Sequence, residues 1–339
     1  MASAVPQIQL PPLKDSAPYV AAVDIGGTFI KVGLVNREAQ VVSRLEVSSE
    51  AERGFAHFVK RIGDAIEMAV QELGLTFDDV AGIGVGYPGT VRAKTGLVSG
   101  SPNIPGANGS NFTQPLIDRF QQAVIVGNDA SVAALGECRY GVGKQYGADD
   151  LVLFTLGTGV GGGIVIDGQL VVGAHSQGAE LGHTVIDPNG PQCGCGNFGC
   201  VEAFCGTAGI LRAAWRRLQA GRESLLWNYI REFQRDELTP KMISQAAAQG
   251  DEVAIEIWGE IGFYLGLAAV SAVNLVDPEV IVFSGQIAKA GDHLFGSIKR
   301  TVRARCRLNP WPVENIVPGS LGDDSGIIGA AALVLSRLS

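Results

Sequence analysis

Short apolar runs separated by glycine-rich breaks fill the first half of the chain, whereas apolar residues at helical spacing dominate the second half. Strands are predicted where apolar and β-branched residues run together, at residues 19–25, 30–35, 41–47, 80–85, 124–126, 151–155, 163–166 and 280–283. Helices are predicted where apolar residues recur every three or four positions, at residues 55–73, 128–138, 207–220, 241–249, 252–275 and 325–338, with one more ending near residue 303. Residues 96–110 are predicted to form a loop. Strands that alternate with helices indicate an α/β fold.

The length of 339 residues exceeds what one hydrophobic core usually serves, so two domains are predicted. A weak internal repeat supports this division, because residues 24–35 and 155–165 each combine a strand, a Gly/Thr turn and a second strand. We expect an N-terminal domain at residues 19–127, completed by helix 325–338, and a C-terminal domain at residues 128–324. Two α/β domains that face one another would place both turns at a central cleft. Residues 1–18 are interpreted as a flexible leader.

Charge and cysteine usage narrow the possible partners and the compartment. The net charge of −8 argues against binding of nucleic acid or of an anionic membrane. The apolar stretch at residues 261–276 is too short to span a membrane and contains Ser271 and Asn274, so it is interpreted as a buried helix. Residues 1–18 lack the apolar core of a signal peptide, and four of the six cysteines fall within residues 193–205. This pattern favours a cytoplasmic protein with a metal site over a disulfide framework.

Two glycine-rich turns are candidate phosphate sites: Gly26, Gly27 and Thr28 in the first, and Gly157, Thr158 and Gly159 in the second. Such turns expose backbone N–H groups and let phosphate oxygens approach closely. Either turn alone is equally consistent with a tight hairpin. Their occurrence at the start of both halves favours phosphate binding, although neither has the spacing of a P-loop.

Asp129 follows a predicted buried strand and opens a predicted helix. A carboxylate at such a place could orient an attacking hydroxyl and accept its proton during phosphoryl transfer. The alternative is a simple helix cap, for which Asn128 and Asp129 are both suitable.

The segment at residues 183–200 carries the most specific pattern of the chain. One imidazole and three thiols, those of His183, Cys193, Cys195 and Cys200, form the ligand set of a closed tetrahedral zinc site. Free buried cysteines are the alternative. The other three cysteines, Cys138, Cys205 and Cys306, are interpreted as packing residues.

Glu180 and Glu202 flank the predicted metal loop. A bound metal would rigidify both, and two carboxylates beside a wet cleft suit recognition of sugar hydroxyls. Solvated surface positions are the usual alternative for single glutamates.

Four of these motifs together, at residues 24–28, 127–130, 156–163 and 178–202, resemble the ROK family of sugar kinases and repressors, and the resemblance extends from about residue 20 to the C-terminus. It implies an actin-like, hexokinase-type fold with two α/β domains that close on a sugar. It also implies transfer of the γ-phosphoryl group of ATP to a hexose, for which glucose is favoured, and homodimers are common among such proteins.

The resemblance also implies a role for each motif residue. Asp129 would be the catalytic base, and the hexose would contact Asn103, Asn128, Asp129, Glu180, His183 and Glu202. ATP would be held by Asp24, Gly26, Gly27, Thr28, Gly157, Thr158, Gly159 and Gly285, with Mg²⁺ bridging toward Asp24. The zinc ion would be structural. One departure is Phe29, which stands where many relatives carry Lys, so a phosphate contact from the nearby Lys31 is in doubt.

Three alternatives to a glucose kinase follow from the same motifs. Kinases of N-acetylmannosamine, N-acetylglucosamine, fructose or allose share most of them, and polyphosphate could replace ATP. A sugar-sensing regulator would need a DNA-binding helix-turn-helix, which residues 1–18 cannot form. An ATPase or chaperone of actin-like fold would not need the predicted sugar ligands.

Overall fold

The computed structural model describes residues 7–101, 103–232, 238–308 and 310–338. The chain divides into two compact units. Unit 1 comprises residues 1–149, 163–179 and 320–339, and unit 2 comprises residues 150–162 and 180–319. Each unit combines strands and helices, in agreement with the predicted α/β class.

Unit 1 is built on five strands: β1 (Tyr19–Ile25), β2 (Phe29–Asn36), β3 (Val41–Ser48), β4 (Val80–Tyr87) and β7 (Val124–Asn128). They form one sheet in the order β3-β2-β1-β4-β7. The pairs β1–β2 and β2–β3 are antiparallel, whereas β4 is parallel to both β1 and β7. A small antiparallel hairpin joins β5 (Thr90–Arg92) to β6 (Leu97–Ser99). The long β1 and β4 strands therefore form the centre of the unit.

Helices cover both faces of this sheet: α1 (Phe55–Glu72) and α2 (Thr113–Phe120) on one face, α3 (Asp129–Tyr140) and α11 (Ser325–Leu335) on the other. Successive side chains of a strand point to opposite faces. Accordingly Val23 of β1 packs in a cluster with residues of α1 and α2, while Ala22 packs with α3 and α11. Gly84 of β4 allows α11 to approach closely, because a Cβ atom there would collide with the carbonyl of Ala330. The short α4 (Val142–Tyr146) and β10 (Gln169–Leu170) complete the unit.

Unit 2 combines a sheet with a larger set of helices. Its strands are β8 (Leu151–Leu156), β11 (Val280–Ser284), β12 (Ile316–Pro318) and the first residues of β9 (Val160–Ile166). They follow the order β9-β8-β11-β12, with β8, β11 and β12 parallel. Its helices are α5 (Val201–Cys205), α6 (Thr207–Gln219), α7 (Leu226–Glu232), α8 (Pro240–Ala248), α9 (Glu252–Val276) and α10 (Asp292–Arg305).

By length and composition, α9 is the one helix in the described part of the chain that could cross a membrane. However, 56% of its most apolar window is buried inside the structure. Gly262 and Gly266 of α9 lie directly against Ser297 and Thr301 of α10, where a Cβ atom would clash. These contacts agree with the prediction of a buried helix.

Residues 7–18, the described part of the segment predicted to be a flexible leader, make ordered contacts, so that prediction is wrong for them. The backbone N–H of Ile8 donates to Lys94 at 2.9 Å, and that of Lys14 donates to Ala81 at 3.0 Å. The Lys14 side chain also bonds to the carbonyl of Phe77 at 3.0 Å. Residues 8–17 therefore lie fixed on unit 1, because their backbone groups find partners there.

Other differences concern boundaries and short elements. The sequence analysis did not predict α2 and α7, and residues 96–110, predicted as a loop, contain β6. β9 begins at Val160, earlier than predicted. Unit 1 continues past residue 127 to residue 149, since α3 packs against α11 rather than within unit 2.

Candidate active site

The first Gly/Thr turn joins β1 to β2 in unit 1. The N–H of Gly26 donates to the carbonyl of Phe29 at 2.9 Å, which closes a tight hairpin, and residues 26–29 are all exposed. A Cβ atom at Gly27 would lie 3.6 Å from Nδ2 of Asn103, so this predicted sugar ligand stands beside the turn. Asn103 itself is exposed. The hairpin interpretation is thus correct, and it leaves the turn open to a ligand.

Asp24 is the second-last residue of β1, one position before the buried Ile25 and two before the turn. Burial raises the pKa of its carboxyl, and the nearby charge of Lys31 partly offsets this effect. Lys31 stands directly opposite Asp24 in the β1–β2 pair, which answers the question of where this lysine points. The Asp24 carboxyl also packs against Gly326 in the first turn of α11, where a Cβ atom would collide with it. Carboxyl groups whose pKa is strongly raised by burial are often found at functional sites.

Asn128 and Asp129 divide the roles that the sequence analysis left open. The side-chain oxygen of Asn128 accepts the N–H of Ser131 at 3.0 Å, so Asn128 is the N-cap of α3. Its Nδ2 donates to the carbonyl of Gly89 at 3.2 Å. Asp129 is the first helical residue, and its Oδ1 accepts the N–H of Ala130 at 2.8 Å. The cap is therefore not the function of Asp129.

The second Gly/Thr turn joins β8 to β9 in unit 2. The N–H of Gly157 donates to the carbonyl of Gly159 at 3.0 Å, and Thr158 is exposed. A Cβ atom at Gly157 would meet nothing within 4 Å, so open space lies above this residue. At Gly159 there is no such space, because a Cβ atom there would collide with the carboxylate of Glu202.

The predicted metal ligands come together in unit 2. The donor atoms of His183, Cys193, Cys195 and Cys200 all lie within 4.8 Å of one another. Sγ of Cys195 lies 3.8 Å from Sγ of Cys200, and Sγ of Cys193 lies 3.7 Å from Nδ1 of His183. A tetrahedral zinc ion with Zn–S distances of about 2.3 Å would hold its donors about 3.5–3.8 Å apart. The residues therefore fit a structural zinc ion.

The backbone of the metal loop depends on glycine. Gly196 and Gly199 have φ values of 90° and 71°, in the left-handed region that favours glycine. A side chain at Gly199 would also collide with the carbonyl of Asp187. Burial raises the pKa of the Cys193 thiol to about 12, an effect that a bound divalent cation would offset by stabilising the thiolate. The remaining cysteines, Cys138, Cys205 and Cys306, are buried as predicted.

Glu180 and His183 occupy the two ends of one short turn, in which the N–H of His183 donates to the carbonyl of Glu180 at 3.0 Å. Glu180 is exposed. Because His183 directs Nδ1 toward the thiols, its Nε2 is left for another ligand. The turn rests on β9, since a Cβ atom at Gly182 would collide with the carbonyl of Val160.

Glu202 lies in the first turn of α5, after the last metal ligand. Its Oε2 accepts the N–H of Val160 at 3.0 Å, and Oε1 lies 3.4 Å from Sγ of Cys193. Glu202 therefore contacts both the metal cluster and the second Gly/Thr turn, a contact that the sequence analysis did not foresee. Gly285 follows β11 with a φ of 90°, and a Cβ atom there would collide with the carbonyl of Leu156.

Thr207, the first residue of α6, is a further contact of the second Gly/Thr turn that the sequence does not predict. Its Oγ1 donates to the carbonyl of Gly157 at 3.0 Å, and its N–H lies 3.1 Å from the carbonyl of Thr158. The one sequence signal is the Gly206-Thr207 pair directly after the metal loop, which alone would indicate only a helix start.

The fold and these motifs define the class of protein. The model of the ROK family matches residues 20–337. The glucokinase of Thermotoga maritima is 33% identical over 316 residues, which cover 93% of this chain and 97% of that protein. The glucokinase of Halalkalibacterium halodurans is 35% identical over 318 residues, covering 93% of this chain and 94% of that protein.

A solved structure gives the same result. The ROK family glucokinase from Streptomyces griseus, in complex with glucose and AMPPNP, has a TM-score of 0.77 and 32% identity, and the match covers 93% of this chain and 98% of that one. This chain belongs to the ROK family, and its fold is the actin-like, hexokinase-type fold expected from the sequence motifs.

Proposed function

We propose that this chain is an ATP-dependent hexose kinase that transfers the γ-phosphoryl group of ATP to the 6-hydroxyl of glucose. The relatives named above are glucokinases that match over almost their whole length. The structural observation that carries the proposal is the division of roles at the start of α3. Asn128 caps the helix, so Asp129 stands in the first turn of α3 without serving as its cap.

In the proposed reaction, the sugar oxygen forms a bond to the γ-phosphorus as the bond from that phosphorus to the β,γ-bridging oxygen breaks. Asp129 orients the sugar hydroxyl and accepts its proton late in a loose transition state. Asn128 has one N–H of its amide remaining for the sugar, because its oxygen serves as the cap and the other N–H donates to Gly89. Asn103, exposed beside the first turn, is proposed as a further ligand of sugar hydroxyls.

In unit 2 we propose that Glu180, His183 and Glu202 contact the sugar. His183 would use Nε2, because its Nδ1 faces the thiols. A structural zinc ion held by His183, Cys193, Cys195 and Cys200 would fix the orientation of this imidazole. Glu202 would contact the sugar through Oε1, which lies 3.4 Å from Sγ of Cys193, because Oε2 accepts the N–H of Val160.

The two Gly/Thr turns and Gly285 are proposed to hold the nucleotide: Gly26, Gly27, Thr28, Gly157, Thr158 and Gly159 toward the phosphates, and Gly285 near the adenosine. Bound Mg²⁺ would neutralise developing negative charge on the phosphates, and Asp24 is the carboxylate proposed to face it. The raised pKa of Asp24 agrees with a site built for a cation.

The test of this proposal is a panel of sugars with coupled detection of ADP. We expect rapid ADP formation with glucose and a lower kcat/KM with N-acetylmannosamine, N-acetylglucosamine, fructose and allose. A higher kcat/KM for one of these sugars would keep the kinase but reassign its substrate. ADP formation at the same rate without any sugar would contradict the proposal and favour a simple ATPase. Replacing ATP by polyphosphate and detecting the sugar phosphate instead of ADP identifies the donor.

A regulator is the second class of function in this family. A sugar-sensing regulator would bind glucose without turnover, whereas the proposed kinase forms one ADP for each sugar consumed. The stoichiometry of that assay therefore separates the two classes.

We also propose a cytoplasmic homodimer. None of the six described cysteines is in a disulfide, which suits a reducing compartment. Phe263 and Leu275 on α9 are 37% and 79% exposed, and such apolar side chains favour burial against a second copy. Sedimentation of the purified protein should give twice the chain mass of 35.4 kDa, and Leu275→Glu should shift it toward the monomer.

A further inference from the structure

The turn between β8 and β9 is held from one side by the start of α6. The carbonyl of Gly157 accepts both the hydroxyl of Thr207, at 3.0 Å, and its N–H, at 3.2 Å. The same N–H lies 3.1 Å from the carbonyl of Thr158. Two successive carbonyls of the turn are therefore drawn toward one residue.

This arrangement determines where the N–H groups of the turn point. In a trans peptide the N–H is directed opposite to the carbonyl of the same plane. Since Thr207 holds the carbonyls of Gly157 and Thr158, the N–H groups of Thr158 and Gly159 face away from α6. Neither N–H has an acceptor within the described turn. Two neighbouring N–H donors without an acceptor in the described turn suit an anionic oxygen.

The other end of the turn is held by Glu202. Its carboxylate accepts the N–H of Val160 at 3.0 Å and fills the space where a side chain at Gly159 would stand. Thr207 and Glu202 thus contact opposite ends of one short segment, residues 157–160.

Both holding residues are attached to the metal loop by α5. This helix begins directly after Cys200, and the N–H of Val201 donates to the carbonyl of Thr184 at 3.0 Å. Glu202 lies in its first turn, and Gly206-Thr207 follows its end. The loop that carries the metal ligands therefore holds the start of α5, and the residues at both ends of α5 hold the turn.

We propose that Thr207, acting with Glu202, is a positioning residue that orients the Thr158 and Gly159 N–H groups for a phosphate of the nucleotide. This inference rests on the proposed nucleotide role of the turn. Thr207 need not touch the nucleotide, because it acts through the carbonyls it holds. Glu202 accordingly has a second task besides its proposed contact with the sugar.

The test compares Thr207→Val with Thr207→Ser. Valine keeps the shape of threonine but cannot donate to Gly157, whereas serine keeps the hydroxyl. We expect the Kd for AMPPNP to rise about fivefold in Thr207→Val, as for the loss of one net hydrogen bond, and to recover in Thr207→Ser. The Kd for glucose, measured by calorimetry, and the metal content should stay within about twofold of wild type.

Two results would overturn the inference. One is an unchanged Kd for AMPPNP in Thr207→Val. The other is an equal weakening of AMPPNP and glucose binding together with a lower Tm, since that pattern indicates a purely structural role.

Gly157→Val separates this inference from the proposed function. A side chain at Gly157 meets only open space in the structure, so the variant should fold but obstruct a phosphate above the turn. If Gly157→Val weakens AMPPNP binding while Thr207→Val does not, the positioning role fails and the nucleotide role of the turn stands. If AMPPNP binding is unchanged in Gly157→Val, both fail. Gly159→Val is a poorer probe, because it would displace Glu202.

Discussion

Replacement of Asp129 by asparagine separates an effect on the catalytic rate from an effect on the stability of α3. The variant keeps the size of the side chain, and an amide oxygen can still accept the N–H of Ala130, now at 2.8 Å from Oδ1. It cannot accept a proton from a sugar hydroxyl. The structure makes this substitution informative because the helix cap is supplied by the neighbouring Asn128.

The expected effects differ widely in size. A negative charge in the first turn of a helix contributes about 0.3–1 kcal/mol, so Asp129→Asn should lower the free energy of unfolding by at most about 1 kcal/mol. Loss of a general base costs about 10²–10⁴ in rate, and loss of orientation adds to this. We therefore expect kcat to fall on the order of a thousandfold or more, equivalent to about 4 kcal/mol in the activation barrier.

The measurements are kcat by coupled ADP detection, glucose affinity by calorimetry and stability by urea titration. Asn128→Ala serves as the stability control, since loss of a real cap costs about 0.5–2 kcal/mol. A kcat of Asp129→Asn within about threefold of wild type would refute the reasoning. So would a loss of stability as large as that of Asn128→Ala, because Asp129 would then be structural.

Three further predictions concern the metal, a buried carboxylate and a pH effect. Elemental analysis should find about one zinc ion per chain. Cys195→Ser should lose the zinc together with stability and activity, whereas Cys306→Ser should retain all three. The absence of zinc together with full activity after chelation would contradict this prediction. Glu137 is fully buried and accepts the N–H of Val142 at 3.1 Å, the N–H of Leu321 at 2.9 Å and the hydroxyl of Ser320 at 3.1 Å. In Glu137→Gln one of these donors would face an amide N–H group instead of an acceptor. Urea titration should therefore show a free energy of unfolding lower by about 1–3 kcal/mol. A free energy of unfolding equal to that of wild type would count against the network. Asp24→Asn should unfold at a higher temperature than wild type at pH 7 without ligand, yet be inactive. Burial raises the pKa of Asp24, so its ionisation disfavours the folded state once the pH rises through the ordinary carboxyl range. The difference in Tm should therefore shrink as the pH is lowered and vanish below about pH 3. A difference independent of pH would exclude this cause.

The sequence was most informative where a pattern has one physical meaning. The continuous apolar run of β1 and the helical spacing in α1 predict both elements at or within a residue of their bounds, since each follows from which side chains must be buried. The His/Cys spacing predicts the four donors that meet in unit 2, because few other arrangements bring an imidazole and three thiols onto so short a loop.

Tertiary contacts explain what the sequence could not provide. Nothing local distinguishes Asn128 from Asp129 as the cap, and the choice is visible only in the bond to Ser131. The residues of the predicted leader carry no strong periodicity, yet they are fixed by backbone bonds to distant parts of unit 1. The contact of Thr207 with Gly157 joins residues fifty positions apart, so no sequence window contains both.

The identity of the product tests the central claim most directly. Phosphorus and proton NMR of a reaction containing ATP, Mg²⁺ and glucose should show the γ-phosphate appearing as a monoester on the glucose C6 oxygen, in equal amount to ADP. Release of the same phosphate as inorganic phosphate, with glucose unchanged, would contradict the assignment of this chain as a hexose kinase.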